Sequence, residues 1–183
     1  MTVPTLTGDR VTLRPVRPTD RDERRRHGFH AEIERGFASL RGSGPMSGAE
    51  ADTWYAAAVA AGSDPSRVEW MIEADGRLVG VVRLHSFREV DVKASFSIGL
   101  LHPRLLGRGL GSEATRLALR YAFGTLGLHR VQLRVLAFNE EAMTMYRRCG
   151  FVEEGRERDS CRMGDTWFDD VIMGILEHEF LRG

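Results

Sequence analysis

The chain has 183 residues, 42% hydrophobic and 28% charged, a composition that can bury a core and is not that of a disordered chain. Its 26 basic and 26 acidic residues cancel, leaving no overall field to draw it to nucleic acid or anionic lipid. Two cysteines, Cys149 and Cys161, cannot build a disulfide framework, and no CxxC or His-x-x-x-His spacing supports a metal. With neither a signal-peptide pattern nor a long apolar run, the expectation is a soluble cytoplasmic protein with no membrane contact.

Val11 to Val16 reads as a strand and Thr19 to about His30 as a helix. Its basic run from Arg21 is hemmed by Asp20, Asp22, Glu23, Glu32 and Glu34, which predicts a solvated face. After the loop RGSGPMSG comes an Ala-rich helix, Ala49 to Ala61. Val68 to Ala74 and Leu78 to Phe87 form a hairpin around Asp75-Gly76, a strong turn signal. Ala94 to Leu101 is a fourth strand and Ser112 to about Gly124 a helix, with Ala114, Leu117, Ala118, Tyr121 and Ala122 on one apolar face. Val131 to Ala137 is a strand and Asn139 to Cys149 a helix; two strands follow, near Phe151 to Ser160 and Thr166 to Leu176. No repeat or linker divides the chain, so one domain over 1–183 is expected.

The most informative stretch is LLHPRLLGRGLGSEATRLALRYA, Leu100 to Ala122, where a glycine-rich turn runs from an apolar strand into an amphipathic helix. Gly107, Gly109 and Gly111 let the backbone bend and approach a ligand closely. The first turn of a helix opened by Ser112 and Glu113 adds unpaired N–H donors and a positive dipole end, which suit a pyrophosphate; Arg108 can add a charged contact. A Gly-rich surface turn with no ligand is the plain alternative. Gly109, Gly111 and Ala114 also fit the dinucleotide fingerprint, but the acidic residue wanted about twenty residues on is missing, Gly127, Leu128 and His129 standing there.

A second stretch, NEEAMTMYRRCGF from Asn139 to Phe151, carries helix signals at both ends: Asn139 as cap, Glu140 and Glu141 first, Arg147 and Arg148 last, then Gly150. Asn139 and Tyr146 are seven residues apart, close to two turns, so they share a face. Taken singly, one reads as a cap and the other as a half-buried core aromatic.

In this order, with a strand between, the two stretches resemble the GNAT superfamily of acyl-CoA-dependent N-acetyltransferases, most closely its ribosomal-protein alanine acetyltransferase branch. The resemblance extends to the opening strand DRVTLRPVRPTD, the hairpin EWMIEADGRLVGVVRLHSF and the closing strand FDDVIMGIL. It implies an α+β fold of the broad α/β class: a single domain with a central mixed, mostly antiparallel sheet of about seven strands flanked by about four helices. It further implies that Gly107, Arg108, Gly109, Leu110, Gly111 and Ser112 wrap the pyrophosphate of acetyl-CoA. Leu100 and Leu101 would pair their backbone with the pantetheine arm, Asn139 would hold that arm, and Tyr146 would protonate the departing thiolate.

Two positions depart from the family pattern. The Gln or Arg that commonly heads the cradle falls on Leu106 if Gly109 and Gly111 are its glycines, or on Arg104 if the motif shifts back two residues. The first register is preferred, because the helix then begins directly after the last glycine. Many relatives carry a glutamate before Ile-Gly, where this chain has Ser97, so no general base is assigned; His85, Glu89 and Asp91 remain open.

The reaction so implied is direct attack of a primary amine on a thioester. A lysine-type amine of pKa about 10.4 is free about once in 2,500 at pH 7, costing roughly 4.6 kcal/mol, against about 1.2 kcal/mol for an α-amine near 7.8. Without a carboxylate base this favours a protein N-terminus as acceptor. A small-molecule amine, such as an aminoglycoside or polyamine, is the alternative, and a non-catalytic acyl-CoA-binding module, with no chemical need for Tyr146, a third. A homodimer is left open.

Overall fold

The structure, a computed structural model, describes residues 3–181, so the two residues at each end of the expected 1–183 span lie outside it. In chain order the elements are β1 (Leu6–Thr7), β2 (Thr12–Arg14), α1 (Asp20–His27), α2 (Ala31–Arg35), α3 (Gly48–Ala61), β3 (Arg67–Ala74), β4 (Arg77–Arg88) and β5 (Lys93–Leu100). There follow a 3₁₀ turn at Pro103–Leu105, α4 (Leu110–Gly124), β6 (Arg130–Leu136), α5 (Glu140–Arg148), β7 (Val152–Met163), β8 (Thr166–Leu176) and α6 (Glu177–Phe180). The strands make one sheet in the order β1-β2-β3-β4-β5-β6-β8-β7, in which β5 and β6 run parallel and the other pairs antiparallel. The expected seven strands gain β1, and the expected four helices gain α2 and α6; each addition is too short to show a hydrophobic period.

One sheet face is covered by α4 and α5. Ala114, Leu117, Ala118, Tyr121 and Ala122 of α4 are buried on it, with the Tyr121 ring edge-on to Trp70 of β3 at 5.3 Å. On the other face Ala58 and Trp54 of α3 pack with Met71, Leu78 and Val81 of β3 and β4. A Ser47–Glu50 capping box starts α3, satisfying two of its free N–H groups. The Arg14 guanidinium, 2% exposed, ties β2 to α1 through two 2.7 Å bonds to the carboxylate of Asp20, 0% exposed. The basic run of α1 is not wholly solvated as expected: Arg24 is buried, donates to the Gly28 carbonyl at 2.6 Å and lies over the Phe29 ring.

The feature that positions the site is a split in the sheet. β5 pairs with β6 only at Lys93, Ala94 and Ser95, after which β6 follows β8 up to Leu136. From Phe96 to Leu100, β5 keeps β4 on one side, while the edge toward β6 stands open.

Candidate active site

Backbone groups alternate in direction along a strand, so every second residue of β5 addresses the open edge. The Leu101 N–H donates to the Val79 carbonyl at 2.9 Å and is spent on the β4 side. By this alternation Leu100 addresses the split, while the Leu101 N–H, also expected to pair with the pantetheine arm, is already bonded to β4. By the same alternation Ile98, which the sequence reading passed over, also addresses the split.

Beyond β5 the chain turns into the glycine loop. Gly107 and Gly109 have φ of +67° and +77°, left-handed values that side chains rarely adopt. A Cβ on Gly107 or Gly111 would meet nothing within 4 Å, so both open onto free space. Helix α4 begins at Leu110 with Gly109 as its N-cap, two residues earlier than expected, which places Gly111 inside the helix rather than before it. No side chain caps this end. The first N–H groups, on Leu110, Gly111 and Ser112, therefore have no partner within the helix and carry its positive dipole end. The Leu110 side chain is buried and Arg108 is exposed, so Leu110 offers only its backbone.

The loop is held from behind by residues that are distant in sequence. Glu113, in the first turn of α4, accepts from the backbone N–H of Arg10 at 2.8 Å and of Val11 at 3.3 Å, and pairs with Arg10 Nε at 3.2 Å. Arg10 Nη1 donates to the Arg108 carbonyl at 2.9 Å.

Helix α5 brings the second motif to the split. Asn139 caps it, its Oδ1 accepting from the Ala142 N–H at 3.2 Å, while its Nδ2 faces α2 beside Gly36. Tyr146 is 7% exposed, its ring edge-on to Phe96 at 6.3 Å and to Phe151 at 5.7 Å. The Tyr146 hydroxyl has no hydrogen bond to the described residues. No side-chain nitrogen or oxygen among them is both buried and unpaired, so this hydroxyl reaches accessible space. Burial, then the neighbouring Cys149, push its pKa well above the ordinary phenol value, keeping it protonated at neutral pH.

The opposite face of β5 presents Ser95, Ser97 and Gly99. Arg83 of β4 lies across from Ser97 and is ion-paired to the buried Glu69, and His85 lies across from Ser95. Burial, then Arg83 and Arg67, push the His85 imidazole below its ordinary pKa, so it is neutral at pH 7. Glu89 and Asp91 sit in the turn between β4 and β5, at the end of β5 away from the glycine loop, and Asp91 is paired with Arg88 and Lys93. The Phe37 ring, from the segment after α2, covers Gly99, and Arg35 stacks on Phe138 at 4.6 Å. Among the described residues no group of three or more His, Cys, Asp or Glu is arranged to hold a metal, and no helix is long and apolar enough to cross a membrane.

An open strand edge leading to an uncapped helix N-terminus, with a protonated phenol at its apex, suits an elongated ligand ending in phosphates. Comparison with known proteins agrees. The acetyltransferase (GNAT) domain model matches residues 10–152. Spermidine N(1)-acetyltransferase of Escherichia coli K12 is 32% identical over 118 residues, covering 64% of this chain and 63% of that protein, under two thirds of its length. The [ribosomal protein uS5]-alanine N-acetyltransferase of the same organism is 29% identical over 77 residues, covering 42% of this chain and 40% of that one. Among solved structures, spermidine N-acetyltransferase from Vibrio cholerae in complex with CoA and spermine superposes with a TM-score of 0.78 at 25% identity, covering 95% of this chain and 99% of that one. With the family model spanning most of its length and this fold, the chain belongs to the GNAT acetyltransferase family.

Proposed function

We propose that the protein transfers an acetyl group from acetyl-CoA to a primary amine by direct attack, and that its acceptor is a small-molecule amine. The observation that carries the first part is the split between β5 and β6, open along Phe96 to Leu100 and ending at the uncapped start of α4. Residues Gly107 to Ser112 offer the pyrophosphate a ring of N–H donors, and Ile98 and Leu100 offer the pantetheine arm a strand edge. Asn139 holds that arm through its amide Nδ2, and Tyr146 donates its proton to the leaving sulfur. A positioned general acid of this kind contributes about 10²–10⁴ in rate.

The acceptor class rests on the relatives, of which the spermidine enzyme matches at higher identity and over more of the chain than the ribosomal-protein enzyme. A protein N-terminus is the second reading, favoured by Ser97 standing where a carboxylate base would help a strongly basic amine. Thiol release from acetyl-CoA across a panel of polyamines, aminoglycosides and peptides separates the two; turnover confined to peptides would reverse the choice. Gly111→Asp tests the cradle cleanly, since Gly111 is helical and opens onto free space, so the variant folds while its charge repels the phosphates. Acetyl-CoA should raise the melting temperature of the wild type and not of this variant. An equal shift in both would overturn the assignment.

A further inference from the structure

Arg10 and Glu113 have no side-chain role assigned by the motifs that contain them, yet they form the most heavily bonded contact around the glycine loop. Two facts make their geometry more than a surface ion pair. A carboxylate in the first turn of a phosphate-binding helix would oppose the anion that the helix attracts. In this chain the Glu113 carboxylate is turned away from the loop's open side, taking two backbone N–H groups from the turn between β1 and β2 and the guanidinium of Arg10. Burial alone would raise the Glu113 pKa, but these donors outweigh it and hold the group below the usual carboxylate range. Gly8 is part of the same fit, since a methyl group there would collide with the Glu113 carboxylate.

The second fact concerns one peptide plane. Arg10 Nη1 holds the Arg108 carbonyl at 2.9 Å. In a trans peptide the carbonyl and the following N–H point in opposite directions, so fixing the Arg108 oxygen on Arg10 aims the Gly109 N–H away from Arg10. Arg10 also lies against Gly109 itself, its Nη2 only 2.7 Å from where a Cβ would stand. Its left-handed φ favours glycine at 109, and a Cβ there would also have to displace the Arg10 guanidinium.

We infer that Arg10 and Glu113 are positioning residues for the acetyl-CoA cradle, a clasp that sets the Arg108–Gly109 peptide with its N–H toward the pyrophosphate before the ligand arrives. The inference rests on reading Gly107 to Ser112 as the phosphate site. The clasp keeps its one cation behind the loop, so its contribution is to geometry rather than to the charge that the phosphates meet. Preorganisation of this kind acts on affinity, not on the transfer step.

The test compares Arg10→Lys, Arg10→Ala and Glu113→Gln with wild type, measuring coenzyme A affinity by calorimetry and steady-state kinetics with acetyl-CoA varied. Lysine keeps the charge but cannot hold Glu113 and the Arg108 carbonyl together in a rigid fork. Loss of one charge-assisted bond predicts Kd and the KM for acetyl-CoA about tenfold higher in all three, with kcat at saturation unchanged. Arg10→Ala leaves Glu113 bonded to two backbone N–H groups, so this variant keeps its fold and supplies the measurement if Glu113→Gln does not. Wild-type affinity in Arg10→Lys with loss only in Arg10→Ala would show that charge alone matters and would sink the clasp. Unchanged affinity in all three would do the same. Failure of wild type to bind coenzyme A, or retention of binding by Gly111→Asp, would instead remove the cradle reading and the clasp with it.

Discussion

The Tyr146 ring of α5 stands edge-on to Phe96 of β5, centroids 6.3 Å apart and planes at 88°. Phe96 is the first residue of β5 past its last pairing with β6, so this contact fixes the phenol at the apex of the split. Phe151, at 5.7 Å from Tyr146 and 6.0 Å from Phe96, completes a cluster of three rings, and the packing depends on the ring rather than on the hydroxyl. Tyr146→Phe should therefore keep the melting temperature and acetyl-CoA affinity while kcat falls by about 10²-fold or more. Equal turnover on one identified amine, with acetyl transfer shown to limit the rate, would remove Tyr146 from the mechanism.

Burial raises the Tyr146 pKa above the ordinary value of about 10, with a clear consequence at alkaline pH. Below pH 10 both folded and unfolded chains hold this proton, and stability does not depend on it. Above pH 10 the unfolded chain releases it first, so the unfolded state binds fewer protons and stability falls as pH rises toward the folded value. Tyr121 is shifted the same way by burial, so the contribution of Tyr146 is the difference between wild type and Tyr146→Phe. Urea unfolding from pH 8 to 11 should show the variant losing less stability than wild type. In the same range kcat should show no descending limb from Tyr146 below pH 10.

Much of this arrangement was legible because local rules carried it. Asp75-Gly76 marked the β3–β4 hairpin, and the charges around Asn139 to Arg148 marked α5, since both signals lie within a few residues of the structure they specify. The start of α4 lies two residues before the one expected directly after the last glycine, because the chain uses a left-handed Gly109 as N-cap and takes Gly111 into the helix. The bond that the Leu101 N–H makes to β4 is not legible in the sequence because direction along a strand is set by pairing, and pairing is not in the local sequence. Arg10 and Glu113 were out of reach for the same reason: they are 103 residues apart and meet only in the tertiary fold. α2 was missed because five residues cannot show a helical period.

Asn139 has two functions that one substitution separates. Its Oδ1 caps α5 through Ala142, and its Nδ2 is the only part of the side chain free to donate. Asn139→Asp retains the capping oxygen and places negative charge at the positive end of the helix, so thermal stability should hold or rise slightly. The lost donor should raise the Kd for acetyl-CoA about tenfold, as removal of a hydrogen bond to a buried acceptor does. Affinity equal to wild type in this variant would leave Asn139 a cap and nothing more.

Phe37 gives access to the acceptor side, because its ring lies on Gly99 on the face of β5 opposite Tyr146. The ring is 53% exposed, so its removal deletes only part of a buried side chain, and Phe37→Ala should cost about 1 kcal/mol of stability. Gly99→Ala reaches the same place from the sheet, since a methyl group there would collide with the ring and displace it. If the ring shapes the path by which the amine reaches the thioester, both variants should lower kcat/KM for the acceptor by a similar factor. The KM for acetyl-CoA should stay constant in both, because Phe37 lies on the far side of the strand from Tyr146. Agreement between two substitutions made from different elements is what separates a shared effect on acceptor entry from local damage. Acceptor kcat/KM equal to wild type in both would show that the amine approaches elsewhere, and the segment after α2 would then be a cover for Gly99 with no part in choosing the substrate.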